Sequence, residues 1–283
     1  MTDWAARVLN FKRGELRLAV LAACFYFCVL SGYFFLRPVR DAMGVSRGMD
    51  ELRWLFVITS IVSLILVLLF GGAVSRMDRR KFIPVGYLFV VVCLLGFASL
   101  LVMDAVAGGG LIGSDAQTSL SRNVGYTFYV WLSAINLFVN SLFWAFMVDV
   151  FNVDQGKRMF AFIGIGGTLG ALVAGWATNV ISGMTESVYL PVGLIATGAG
   201  LFIAAIALML TLDRAALRSE HSILGTQHGP PTSNPGEPIG GNFWDGAASL
   251  ARSPYLLGIA LFIIFMAISN LSLIHISEPT RPY

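Results

Sequence analysis

The chain has 283 residues, 57% of them hydrophobic and 12% charged, with a formal net charge of +3. A soluble domain carries roughly 25% charged residues, so a soluble globular protein is excluded. The small net charge, without a basic patch interleaved with aromatics outside the apolar runs, also excludes a nucleic-acid binder. Mean hydropathy of +0.77 leaves one class, a polytopic membrane protein.

A hydrocarbon core of about 30 Å takes about 20 helical residues. Residues 1–15 are read as a cytoplasmic N-terminus. Six apolar runs of spanning size follow, at 16–36, 54–74, 82–103, 125–148, 159–181 and 189–212. Lipid offers the backbone no hydrogen-bond partner, so continuous runs of this kind are helices rather than barrel strands. Residues 213–253 are the one long polar segment. Its stretch QHGPPTSNPGEPIGGN is rich in Pro, Gly, Ser and Asn and reads as a flexible cytoplasmic linker. A seventh helix is expected to begin at Pro254 and to be cut near Asn270.

With the N-terminus inside, thirteen Lys and Arg fall on the cytoplasmic side, among them Arg13, Arg17, Arg79, Arg80, Lys157 and Arg158. Five fall outside: Arg37, Arg40, Arg47, Arg53 and Arg122. That asymmetry sets the orientation. The first run is too long for a signal-peptide core and is read as a retained helix. The cysteines Cys24, Cys28 and Cys93 have no metal-ligand spacing and read as small apolar fillers. No nucleophile-elbow, zinc-protease, Walker or dinucleotide pattern is present, so the expectation is no enzyme, no cofactor and no metal.

The first run ends in YFFLRPVRDAMG. At 100° per residue, Tyr26, Tyr33, Arg37 and Arg40 fall within about 60° of one another. Asp41 is four residues from Arg37 and can pair with it. Pro38 either ends the helix or starts a new one. In the fourth run Tyr129, Ser133, Asn136, Asn140 and Trp144 lie within about 80°. Asparagines facing lipid are costly, so this face meets protein or water. One reading has Arg37 and Arg40 attract an anion, with planar forks suited to phosphate or carboxylate. Tyr26, Tyr33 and Trp144 would then offer ring faces, and Asn136 and Asn140 hydrogen bonds. The other has the arginines snorkel at the interface beside an aromatic belt.

Three further groups stand out. In GGAVSRMDRRKF, Asp78 can cap a helix or pair across the bundle beside Arg79 and Arg80; the bland alternative is a solvated basic loop. Asp149, near the cytoplasmic end of the fourth run, is either a proton carrier or an ordinary interface residue. In KRMFAFIGIGGTLGALVAGW, Gly166, Gly170 and Ala174 recur every four residues, as do Gly167 and Ala171. That spacing lets helices approach closely, with or without functional movement.

Six helices, a long cytoplasmic linker and a new helix resemble the layout of the major facilitator superfamily, and the Asp78–Lys81 loop is similar to its loop signature. The implied fold class is an all-α polytopic membrane protein, the N-terminal six-helix half of that fold plus a truncated seventh helix, with helices one and four lining a central cavity. A narrower resemblance is to the nucleotide (ATP/ADP, NTP/NDP) exchange transporters of bacteria and plastids. Leu36-Arg37-Pro38-Val39-Arg40-Asp41 is similar to their pattern after helix one. Phe143-Trp144, Asp154, Lys157-Arg158 and the run from Gly164 to Gly170 resemble the features that follow. The chain departs from them at Trp131-Leu132-Ser133-Ala134, where they carry an acid.

These resemblances imply a fragment of a secondary transporter working by alternating access on a small anionic solute, with ATP/ADP as the nucleotide case. Arg40 matches the substrate-side cation, and Asp41, Asp78, Arg79, Arg80 and Asp149 are the gating or coupling set. Two alternatives stay open: a proton-coupled transporter for another solute, and a non-transporting sensor or scaffold. The expected location is a multi-pass position in a cell membrane, the bacterial inner membrane, N-terminus inside. The closing string LSLIHISEPTR resembles a translated adapter from transposase-based sequencing libraries. Residues 271–283 are therefore expected to be foreign, and a C-terminal six-helix half is expected beyond Asn270.

Overall fold

A computed structural model describes residues 15–45, 49–74, 79–107, 119–185, 187, 189–224 and 252–277. The described residues form seven helices: α1 (Glu15–Val45), α2 (Met49–Val74), α3 (Arg79–Val106), α4 (Ser119–Val150), α5 (Val153–Met184), α6 (Leu190–Leu224) and α7 (Pro254–Ser277). Five of them, α1 and α3–α6, are long and apolar enough to cross a membrane. In α2 and α7 the apolar stretches among the described residues are Trp54–Leu66 and Pro254–Met266. The protein is thus an all-helical polytopic membrane protein.

Several helices outrun their apolar runs. α1 continues through Pro38 to Val45 instead of stopping there. Proline has no N–H, so the Phe34 carbonyl receives no helical hydrogen bond from residue 38. The helix carries on because Val39 and Met43 are buried against the bundle beyond the proline. α6 runs to Leu224, into the stretch expected to be linker, and residues 225–251 lie outside the described residues. α7 continues past Asn270 to Ser277. Leu271–Ile276 is as apolar as the turns before it, and the first breaker is Pro279, which also disfavours helix at the preceding residue.

The chain divides into two compact units, 1–238 and 239–283, with α1–α6 in the first and α7 in the second. Within the first, α1 packs most extensively on α5 and α6 and also meets α4; α4 packs on α2 and α3; α3 packs on α6. Tyr26 of α1 reaches Asn140 of α4, whereas Arg40 reaches Ser133, so α1 and α4 run antiparallel.

The α1–α5 contact is made by glycine. A side chain at Gly166 would strike the Ala23 backbone, and one at Gly167 the ring of Tyr26. One at Gly170 would lie 2.5 Å from the Phe27 carbonyl oxygen. Because these positions lack a Cβ, the Ser31 hydroxyl can donate to the Gly170 carbonyl across the seam at 2.9 Å. A similar but looser approach joins Gly32 of α1 to Gly198 of α6.

Overpacking of a tight contact costs about 1–3 kcal/mol. Gly166→Leu is therefore expected to destabilise the bundle by at least that amount in denaturant titrations in detergent micelles. Gly175→Leu, on the same helix with open space around it, is expected to leave stability unchanged. Equal effects at the two positions would remove the glycine seam as the cause.

Candidate functional site

The arginines sit in the last turns of α1. Nε and Nη2 of Arg40 donate to Oδ1 of Asp41 at 2.9 and 2.6 Å. Its Nη1 donates to the Ser133 hydroxyl at 3.3 Å, and its guanidinium lies over the Tyr129 ring, 5.4 Å from the centroid. The Ser133 hydroxyl donates in turn to the Tyr129 carbonyl at 2.7 Å, which holds its lone pairs toward the arginine. Arg37 lies 3.6 Å from Oδ2 of Asp41 and 5.7 Å over the Phe34 ring. The two cations differ in setting: the Arg40 side chain is 18% exposed and the Arg37 side chain 51%.

Deeper along the same seam is a second group. The Tyr26 hydroxyl donates to Asn140 Oδ1 at 3.4 Å, and Asn140 Nδ2 donates to Asn136 Oδ1 at 3.3 Å. Tyr26 stacks on Phe143 at 4.1 Å and meets Trp144 edge-on at 5.6 Å. Trp144 also packs edge-on to Phe160 of α5. With Phe143 against one side and Gly167 against the ring, Tyr26 offers the seam its hydroxyl edge rather than a face. Tyr33 is buried, its ring edge-on to Phe34.

Tyr26 and Arg40 are fourteen residues apart, about 21 Å along a helix. The sequence pattern put their side chains on one stripe; the structure separates them into an aromatic–amide group at mid-helix and a cation group at the end. Among the described residues, both face α4.

The remaining sequence-derived residues lie elsewhere. Asp149 is exposed in the last turn of α4, about 24 Å along the helix from Ser133. Asp154 is exposed and 3.9 Å from Lys157. Asp78 lies outside the described residues, as do the side chains of Arg79 and Arg80, which open α3. An apolar groove of about 660 Å³ between α2 and α4, lined by Trp54, Ile58, Tyr126, Val130 and Trp131 among others, contains no charged residue. No group of three potential metal ligands occurs among the described residues.

Sequence reasoning missed one inter-helix ion pair. Glu15, buried in the first turn of α1, accepts from Arg158 Nη2 of α5 at 2.9 Å and from Gln155 Nε2 at 3.4 Å. The Gln155 side-chain oxygen caps the backbone N–H of Asn152 at 3.1 Å, so one residue closes the helix start and joins the pair. The available signal was a lone acid among Lys12, Arg13 and Arg17.

Comparison with known proteins adds a relationship. The family model described as TLC ATP/ADP transporter matches residues 1–278. The chain is 22% identical over 287 aligned residues to ADP,ATP carrier protein 1 of Chlamydia pneumoniae. That alignment covers 88% of this chain and 53% of the carrier, so the chain spans about half the length of the curated relative. No solved structure matches.

Removing one partner of a buried ion pair costs about 3–5 kcal/mol, whereas replacing both by apolar residues is close to neutral. Arg158→Met is accordingly expected to lower unfolding stability in micelles by about 3 kcal/mol, and the double variant Glu15→Leu/Arg158→Met to recover most of the loss. A single variant as stable as the parent would show the pair to be idle.

Proposed function

The chain belongs to the TLC ATP/ADP transporter family, transporters rather than enzymes, and from that premise we propose that it forms the anion-binding half of a nucleotide exchange carrier. The observation that carries the proposal is Arg40. It is a mostly buried cation held at the end of a polar seam between two membrane-length helices, by a carboxylate, a hydroxyl and an aromatic face. Burying a guanidinium in a span is costly. A planar fork there matches the oxygens of a phosphate chain. Arg37, more exposed, adds positive potential at the entrance. Tyr26, about four turns before Arg40 along α1, and Asn136 and Asn140, about one and two turns past Ser133 along α4, form a hydrogen-bonding edge deeper along the seam, within reach of the sugar or base of an extended nucleotide. Tyr33 lies midway between the two groups along α1, and Trp144 walls the deeper group beside Tyr26.

The helix pairing supports a major facilitator arrangement. Exchanging α1 with α4, α2 with α5 and α3 with α6 maps the principal contacts onto themselves: α1–α5 onto α4–α2, and α1–α6 onto α4–α3. Inverted three-helix repeats give that pattern, with the site on the face shared by the first helix of each repeat. In this reading the N-terminus is cytoplasmic and the membrane is the bacterial inner membrane. Asp41 serves gating, and the tightly seamed α1 and α5 move as one piece. The second half of the cavity comes from six further helices or from a second copy of the chain.

The test is counter-exchange. Proteoliposomes carrying the purified protein and loaded with ADP are expected to take up labelled ATP, and Arg40→Gln to reduce the initial rate by at least about tenfold, the scale of one lost charge-assisted contact. Uptake by Arg40→Gln equal to that of the parent would overturn the assignment. Uptake that needs no internal nucleotide but follows a proton gradient would replace exchange by proton coupling.

A further inference from the structure

Asp41 stands between two cations and is shared unequally. Its Oδ1 takes both Nε and Nη2 of Arg40, at 2.9 and 2.6 Å. Its Oδ2 lies 3.6 Å from Nε of Arg37, one helical turn back. The edge of Arg40 that would grip a phosphate or carboxylate is therefore already gripped, by a carboxylate belonging to the same helix. Ser133 and the Tyr129 ring cover much of the rest. An incoming anion has to compete with Asp41 for this edge.

Asp41 is well placed to give way. Its side chain is 47% exposed, against 18% for Arg40. It has two rotatable torsions and a second cation within one rotamer change. A carboxylate that left Arg40 for solvent alone would forfeit an ion pair; one that moves to Arg37 exchanges one pair for another. The cluster holds two guanidinium charges and one carboxylate, so after the move each arginine still faces one anion.

On the reading that Arg40 binds the anionic solute, we propose that Asp41 is a movable counter-anion. It closes the fork of Arg40 when the site is empty and passes to Arg37 when a phosphate group arrives. Arg37 is then the parking partner of Asp41 rather than a ligand of the solute. This divides two arginines of one motif between two tasks, and it makes Asp41 the residue that sets how strongly an anion must bind to enter.

The experiment is ADP binding to the purified 283-residue chain in lipid nanodiscs, by isothermal titration calorimetry. The variants are Arg40→Gln, Asp41→Asn, Arg37→Gln and the double Asp41→Asn/Arg37→Gln. Removing the competitor is expected to tighten binding about fivefold in Asp41→Asn, the scale of a partly exposed ion pair. Arg37→Gln is expected to weaken binding severalfold in the parent, because Asp41 loses its alternative partner, and to weaken it much less once Asp41 is asparagine, when only the positive potential of Arg37 is lost. Arg40→Gln is expected to abolish binding. Abolition by Arg40→Gln with unchanged or weaker binding by Asp41→Asn would mean that Asp41 only orients Arg40; the counter-anion falls while the site stands. Equal weakening by Arg37→Gln in both backgrounds would make Arg37 a direct ligand and remove the parking role. Binding by Arg40→Gln equal to the parent, or no binding by any variant, would remove the site and this inference together.

Discussion

The lack of a hydrophobic drive between helices inside a bilayer governs how this bundle is put together. Lipid tails are as apolar as leucine, so helices hold together by close packing and by hydrogen bonds that lipid does not supply. Gly166, Gly167 and Gly170 on α5 meet that requirement. They let the backbone of α1 approach until Ala23, Tyr26 and Phe27 touch bare Cα positions, and they bring Ser31 within reach of a carbonyl. At the N-terminal end of the same seam, Glu15 and Arg158 fix the two helices in register. A helix held over that length has little freedom to rotate. The face that α1 turns toward α4 is then set, and with it the positions of Tyr26 and Arg40.

The α1–α4 seam inherits its geometry from this anchoring. Arg40 is tolerated near the end of a membrane-length helix because three kinds of partner meet it: a carboxylate from its own helix, a hydroxyl from α4 and the face of Tyr129. Each compensates part of the desolvation that the charge suffers. The deeper group is neutral and made of aromatics and amides, which suits hydrogen bonding without a second buried charge. A charged end and a neutral, hydrogen-bonding middle are what the proposed solute, charged at one end, requires.

Much of the architecture was legible in the sequence. The apolar runs locate the helices because spanning length and hydrophobicity are local properties. The glycine repeat in α5 marks a close approach because only the absence of a Cβ permits one. The pairing of Arg37 with Asp41 lies within one helix and follows from four-residue spacing. Helix ends were less legible. α1 passes Pro38 since burial beyond it outweighs one missing hydrogen bond, and α7 passes Asn270 because nothing before Pro279 stops it.

The sequence by itself determined a membrane-spanning helical chain, the stripe of aromatics and cations along α1, and the small-residue face of α5, all of which depend on composition and on helical periodicity. Only the tertiary structure decided that Arg40 rather than Arg37 is covered, that Tyr26 turns an edge and not a face to the seam, and that Glu15 finds Arg158 across 143 residues. Those facts depend on which helix lies beside which. Periodicity assigns a side chain to a face, but the neighbour on that face is chosen by packing between segments far apart in the chain.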